Sequence, residues 1–65
     1  MKIYTYEQEG HMYEVWYHRP EQCWYAAEID KDGNMGESIT AYKKDWVIDY
    51  IKRGHCPSVK RYHPR

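Results

Sequence analysis

A run of oxygen-bearing side chains in residues 30–34, Asp-Lys-Asp-Gly-Asn, could bind a calcium ion. The oxygen ligands fall at alternate positions, as they do at the start of an EF-hand loop. The rest of that motif is missing, because Met35 stands where the loop needs glycine and Ala41 where it needs a bidentate glutamate. The segment therefore predicts a tight turn rather than a calcium site.

Cysteine and histidine side chains could bind zinc, since thiolate and imidazole are its usual ligands. The candidates are Cys23, Cys56, His11, His18, His55 and His63. No pair has Cys-x-x-Cys or His-x-x-x-His spacing, and the adjacent His55 and Cys56 are poorly placed to reach one tetrahedral ion. We predict no metal site and no cofactor, with both cysteines reduced and Cys23 packed as a small hydrophobe.

The same cysteines and histidines do not predict an active site. A cysteine nucleophile needs a thiolate, a base and an oxyanion site in register, and the spacings indicate none of these. No pair of carboxylates is singled out for acid–base chemistry, and a 65-residue chain has little room to enclose a substrate. We therefore predict no catalytic residues and a protein that is not an enzyme.

The aromatic residues point to binding. The chain has eight tyrosines, three tryptophans and no phenylalanine, so every ring carries a hydroxyl or an indole N–H. Rings of this kind are enriched at interfaces, where one edge meets an apolar surface and the other meets water.

The charges divide along the chain although they cancel overall. Residues 1–38 contain three basic and eight acidic residues, a net charge of −5. Residues 39–65 contain seven basic and two acidic residues, a net charge of +5. This polarity favours packing of the two halves on each other, head-to-tail association of chains, or the presentation of a basic end to an acidic partner.

The N-terminal part of the chain is predicted to form β-strands, which position the aromatic and charged residues. Strand-forming residues on both sides of Glu9-Gly10 predict a β-hairpin over 2–8 and 11–18. Pro20 ends the second strand, and a third runs from Cys23 to about Asp30. Asp32-Gly33 predicts a type I′ turn, after which residues 35–39 form either a short returning edge strand or a connection.

A C-terminal helix follows, with Ser38 or Thr40 as its N-cap and Arg53 near its end. Gly54 suits a left-handed C-terminal cap, and Pro57 prevents continuation. At 100° per residue one broad apolar stripe contains Ile39, Tyr42, Trp46, Val47, Tyr50 and Ile51. Ile48 lies apart from this stripe, among polar residues.

Together these elements predict an α+β fold: a three-stranded antiparallel meander sheet followed by one amphipathic helix packed on one face (βββα). Residues 1–57 form the single domain, and residues 58–65 form a basic tail or an edge strand. One helix covers only one face of such a sheet. Strand alternation suggests that the helix covers Tyr13, Val15, Tyr17, Cys23, Tyr25, Ala27 and Ile29. The uncovered face then collects Tyr4, Tyr6, Met12, Trp16 and Trp24.

The leading functional hypothesis is a non-catalytic protein-interaction module that acts as a homodimer, an adaptor or an inhibitor of a larger protein. Its predicted binding residues are Tyr4, Tyr6, Met12, Trp16, Trp24 and Ile48. The alternative is a nucleic-acid-binding or regulatory protein that uses Lys43, Lys44, Lys52, Arg53, Lys60, Arg61 and Arg65. The aromatic sheet lies in the acidic half of the chain, which favours a protein partner or a second copy of the chain.

No apolar run approaches the roughly 20 residues that span a bilayer, so we expect a cytoplasmic protein without a membrane partner.

Overall fold

A computed structural model describes residues 2–59 of the chain. The strands are β1 (Ile3–Gln8), β2 (His11–His18), β3 (Cys23–Ile29) and β4 (Ile39–Ala41), and the helix is α1 (Lys44–Lys52). The strands form one antiparallel sheet in the order β1-β2-β3-β4, and α1 packs on one face of it. The predicted α+β fold is confirmed, with β4 as the extra edge strand.

Short-range chemistry sets the first two turns. Glu9 and Gly10 both have positive φ, 51° and 83°, which is the type I′ geometry that suits a two-residue hairpin loop. Residues 19–22 form the next turn, closed by a 3.1 Å hydrogen bond from the Gln22 N–H to the Arg19 carbonyl. Pro20 lies inside that turn, where its missing N–H leaves the sheet intact. Both turns fall where the sequence predicts them.

The turn after β3 differs from the prediction. Only Gly33 has positive φ there, 87°, so the loop is not a type I′ turn. Instead, the Asp30 carboxylate accepts hydrogen bonds from the backbone N–H groups of Asp32 and Asn34 at 3.0 and 2.8 Å. The backbone hydrogen bond from Asn34 is the main reason that the pKa of Asp30 lies below its ordinary value. The carboxylate thus organises the loop that returns the chain to the sheet.

The helix begins later than predicted. Residues 39–41 are β4, in which Ile39 lies opposite Ala26 and Ala41 opposite Trp24. β-branched Ile39 and Thr40 suit the free edge that β3 offers, so neither Ser38 nor Thr40 caps the helix. The N-cap position of α1 is Lys43, without a side-chain cap. At the other end Gly54, with φ 80°, forms the expected left-handed cap, and the His55 N–H donates to the Tyr50 carbonyl at 2.9 Å.

The buried stripe of α1 is rotated from the predicted one. Val47 and Ile51 are buried and Ile48 is half-buried, whereas Trp46 and Tyr50 are exposed. Tyr42 precedes the helix and is 77% exposed. The sequence prediction treats Ile39 and Tyr42 as helical, and this shifts the centre of the predicted apolar stripe towards Trp46. The placement of Ile48 among exposed polar residues is therefore wrong.

The core lies between α1 and the centre of the sheet. Its buried residues are Tyr13, Val15, Ala26, Val47 and Ile51. Partly buried side chains surround them: Tyr4, Tyr6, Trp24, Ile39, Ala41 and Cys56. Burial and the Glu28 carboxylate raise the pKa of the Tyr13 hydroxyl.

Glu28 fastens the segment after α1 to the sheet. Its buried carboxylate accepts a 3.2 Å hydrogen bond from the Val59 N–H and lies 2.7 Å from His11 Nδ1. Val59 is buried, so the folded unit extends at least to this residue. Of the predicted tail or edge strand over residues 58–65, Ser58 and Val59 are described and belong to no strand of the sheet, and residues 60–65 lie outside the described residues. Within 2–59, no helix is long and apolar enough to cross a membrane.

Candidate binding surfaces

One face of the sheet points away from α1, and we call it the open face. Strand register places Ile3 opposite Trp16, Trp16 opposite Tyr25, and Met12 opposite Ile29. Met35 joins them through a bridge to Ile29. Ile3, Met12 and Met35 are 51%, 43% and 45% exposed. The apolar side chains of the open face therefore form two groups, one of Ile3, Trp16 and Tyr25 and one of Met12, Ile29 and Met35. The row of Thr5, Glu14 and the buried Ala27 lies between them.

Two aromatic rings form the centre of the open face. Trp16 stacks on Tyr25 with ring centroids 5.7 Å apart and planes 25° from parallel. His18 lies beside them, 5.0 Å from the centre of the Tyr25 ring. Each ring restricts its neighbour, so this pair presents a firm surface to a partner.

Glu21 holds Tyr25 in place. The Tyr25 hydroxyl donates a hydrogen bond to the Glu21 carboxylate, and this bond is the main cause that raises the pKa of Tyr25 to about 12. Glu21 also lies near Cys23, whose thiol pKa is raised chiefly by desolvation. The Tyr25 ring thus stays neutral on a face that already carries carboxylates.

The charge on the open face is negative. Register places Glu7 opposite Met12 and Glu14 opposite Ala27, so both carboxylates belong to this face. The strand residues that share the face include no lysine or arginine. A complementary surface would have an apolar centre and basic residues near these two glutamates.

A second surface lies on the helix side, at the end of the sheet where β2 meets β3. It is an open groove of about 540 Å³, which we call the aromatic groove. It is lined by Lys2, Tyr4, Tyr17, His18, Arg19, Pro20 and Trp24. Trp24 contacts two tyrosine rings there, with centroids 5.5 Å from Tyr17 and 6.1 Å from Tyr4.

The aromatic groove is bordered by cations. The Lys44 ammonium lies 3.5 Å from the centre of the Tyr4 ring and 5.9 Å from that of Trp24. The Lys2 ammonium lies 5.4 Å from the same Tyr4 ring. The start of α1 therefore brings positive charge to rings that belong to the acidic half of the sequence.

The six residues predicted to bind protein do not lie together. Met12 and Trp16 are on the open face, whereas Tyr4, Tyr6 and Trp24 pack against the core on the helix side. The predicted face of these last three residues is therefore wrong. In β3 the same reversal moves four residues predicted to face the helix to the open face: Cys23, Tyr25, Ala27 and Ile29. Ile48 is half-buried in α1.

The side of the sheet on which each β1 side chain lies could be predicted from the length of its hairpin loop. A two-residue loop at Glu9-Gly10 pairs Gln8 with His11, which forces Tyr4 opposite Val15 and Tyr6 opposite Tyr13. The same counting places Ile3, which the sequence prediction missed, beside Trp16. No comparable signal existed for β3, because both of its faces carry apolar residues and alternation gives no preferred phase.

The residues of the nucleic-acid alternative are also dispersed. Lys43 and Lys44 lie at the start of α1, and Lys52 and Arg53 lie at its end, about 12 Å away along the axis. Arg53 Nε makes an ion pair with Asp49 at 2.9 Å. Lys60, Arg61 and Arg65 lie outside the described residues. Of the four described members of this set, only Lys44 contacts the groove rings.

Neither thiol is activated. Burial raises the pKa of Cys56, and a backbone hydrogen bond from Glu28 opposes that shift only in part. Both cysteines are free, and residues 2–59 contain no group of three or more histidine, cysteine or carboxylate side chains arranged to hold a metal ion.

Comparison of the chain with protein-family models, curated proteins and solved structures finds no match.

Proposed function

We propose that the protein is a small, non-catalytic interaction module that binds a larger protein through the open face. The observation that carries this proposal is the stacked pair of Trp16 and Tyr25, which lies in one row with the exposed Ile3 on the face that α1 does not cover. Met12 and Met35 add exposed apolar surface farther along the same face. Aromatic residues at the centre of an apolar patch are the residue types that dominate binding energy at protein interfaces.

The charge on the open face favours a partner other than a second copy of the chain. In a symmetric dimer the same patch meets itself, so the carboxylates of Glu7 and Glu14 would enter one interface from both sides. Like charges in a partly desolvated interface oppose association. An adaptor or inhibitor role with a basic, apolar partner surface therefore fits better than a homodimer.

Site-specific crosslinking in the native host tests this proposal. A photo-crosslinking amino acid at Met12, which is 43% exposed on the open face, is expected to capture a distinct protein. The matched probe at Tyr42, 77% exposed near the helix, is expected not to capture it. Crosslinks from both positions to the same set of proteins would contradict the proposal, and crosslinks only to a second copy would show a homodimer instead.

Substitution of two tryptophans, one on the open face and one on α1, provides a matched test of the crosslinking result. Trp16→Ala is expected to reduce capture from the Met12 probe by about tenfold or more, as for a central interface anchor. Trp46→Ala, which removes a tryptophan 48% exposed on α1, is expected to leave capture within about twofold. Circular dichroism of both variants separates loss of binding from loss of fold.

A further inference from the structure

The rings of the aromatic groove lie on the opposite side of the sheet from the Trp16–Tyr25 pair, and His18, at the end of β2, borders both surfaces. Its volume of about 540 Å³ falls within the range of roughly 300–1,000 Å³ that is usual for small-ligand sites. It combines three aromatic rings with flanking basic side chains, and the question is which ligand uses both.

The groove is electrostatically suited to an anion. Lys2 and Arg19 line it, and Lys44 extends over its rings. None of the described residues that line it carries a carboxylate. The nearest acidic residue along the chain, Glu21, hydrogen-bonds to Tyr25 on the open face. Among residues 2–59, the ion pairs are His11–Glu28 and Arg53–Asp49, so the charges of the three groove cations are not neutralised within this part of the chain.

The rings add a requirement that charge alone does not meet. Tyr17 is 37% exposed and meets Trp24 edge-on with centroids 5.5 Å apart, so part of its ring remains available to a ligand. Trp24 is half-buried and keeps an exposed part as well. Flat rings beside lysine and arginine are the combination that stacks unpaired bases while neutralising the adjoining phosphates.

We infer that the aromatic groove binds a short stretch of single-stranded nucleic acid. A base stacks against Tyr17 and Trp24, and the flanking phosphates lie near Lys2, Arg19 and Lys44. An acidic peptide would satisfy the cations but has no flat ring to place on the exposed aromatic surface. Of the helix and tail cations that the sequence analysis assigns to nucleic-acid binding, this site includes only Lys44.

Fluorescence anisotropy of the full chain with a labelled oligothymidine of about 12 nucleotides at low salt tests the charge requirement. The double variant Lys2→Glu with Arg19→Glu is expected to bind about tenfold or more weakly and to reduce the salt dependence. The matched double variant Lys31→Glu with Lys52→Glu makes the same charge change at exposed sites outside the groove. Because Lys52 is one of the helix cations that the sequence-based alternative uses, this variant also separates binding in the groove from binding along the helix. It is expected to stay within about threefold of the unchanged chain.

A second set of binding measurements tests whether the rings stack on bases. Tyr17→Leu keeps an apolar side chain at an exposed position and is expected to weaken binding about fivefold or more, whereas Tyr42→Leu changes it little. An abasic oligonucleotide of the same length is expected to bind more weakly, and a polyglutamate peptide of equal charge is expected to compete less well than unlabelled oligothymidine, because it supplies charge without rings. Three results would overturn the inference: no binding at low salt, equal losses in the two double variants, or equal binding of the oligonucleotide, the abasic strand and polyglutamate.

Discussion

Tyr25 shows how one hydrogen bond affects the ionisation of a ring on the open face. Its hydroxyl donates to Glu21, and the carboxylate opposes ionisation of the phenol both as an acceptor and as a negative charge. With its pKa raised to about 12, the Tyr25 hydroxyl stays protonated to a higher pH than an ordinary tyrosine. Glu21 thereby holds one half of the Trp16–Tyr25 stack.

We predict that Glu21→Gln lowers the pKa of Tyr25 from about 12 towards the ordinary tyrosine value of 10.0. Because the folded-state pKa is raised, the stabilisation from this contact is complete below the unfolded-state pKa near 10 and disappears as pH rises through 12. The stability difference between the variant and the unchanged chain should therefore shrink over that interval. Tyrosine carbon resonances followed by NMR measure the titration.

Glu37→Gln serves as the control, because Glu37 is exposed and is not among the groups that perturb Tyr25. It should leave the Tyr25 titration unchanged. An unaltered Tyr25 pKa in Glu21→Gln would show that the hydrogen bond does not hold this ring.

At the scale of elements, α1 is stabilised by a narrow contact with the sheet. Val47 and Ile51 are buried against Val15 and Ala26 in the core, while Trp46 and Tyr50 leave large parts of their rings exposed. A nine-residue helix is too short to be stable alone, so this contact is what keeps it folded.

We predict that Ile51→Ala lowers the free energy of unfolding by about 2–5 kcal/mol, because it leaves a cavity in the core. Trp46→Ala should cost less than about 1 kcal/mol, since it removes mainly an exposed ring and a weak contact with Lys43. Urea denaturation measures both values. If Ile51→Ala does not fold, Ile51→Val should cost about 0.5–1.5 kcal/mol. A larger cost for Trp46→Ala than for the Ile51 variants would contradict this orientation of α1.

The elements that short-range chemistry determines could be predicted from the sequence. The hairpin at Glu9-Gly10, the break at Pro20 and the helix cap at Gly54 depend only on backbone preferences of adjacent residues. β4 could not be predicted in the same way, because residues 39–41 become a strand by pairing with the edge of β3. The faces of Trp24 and Tyr25 also depend on long-range packing, and this is why half of the predicted binding residues lie on the wrong side.

At the scale of the whole molecule, the charges are divided between surfaces as well as between halves of the chain. The open face carries Glu7 and Glu14 among apolar residues, and the aromatic groove carries Lys2 and Arg19 with Lys44 across its rings. A four-stranded sheet with a single helix leaves room for both surfaces, because α1 covers only part of one face. The fold thus offers an acidic, apolar surface and a basic, aromatic one on opposite sides.

The most direct test of the open face as a protein-binding surface is charge reversal at Glu14, measured by crosslinking from the Met12 probe. Glu14→Lys is expected to reduce capture of the partner by about tenfold, because it places a cation opposite the basic residues expected of the partner. Asp45→Lys makes the same charge change at an exposed position on α1 and is expected to leave capture within about twofold. Equal capture by the two folded variants would contradict the assignment of the open face.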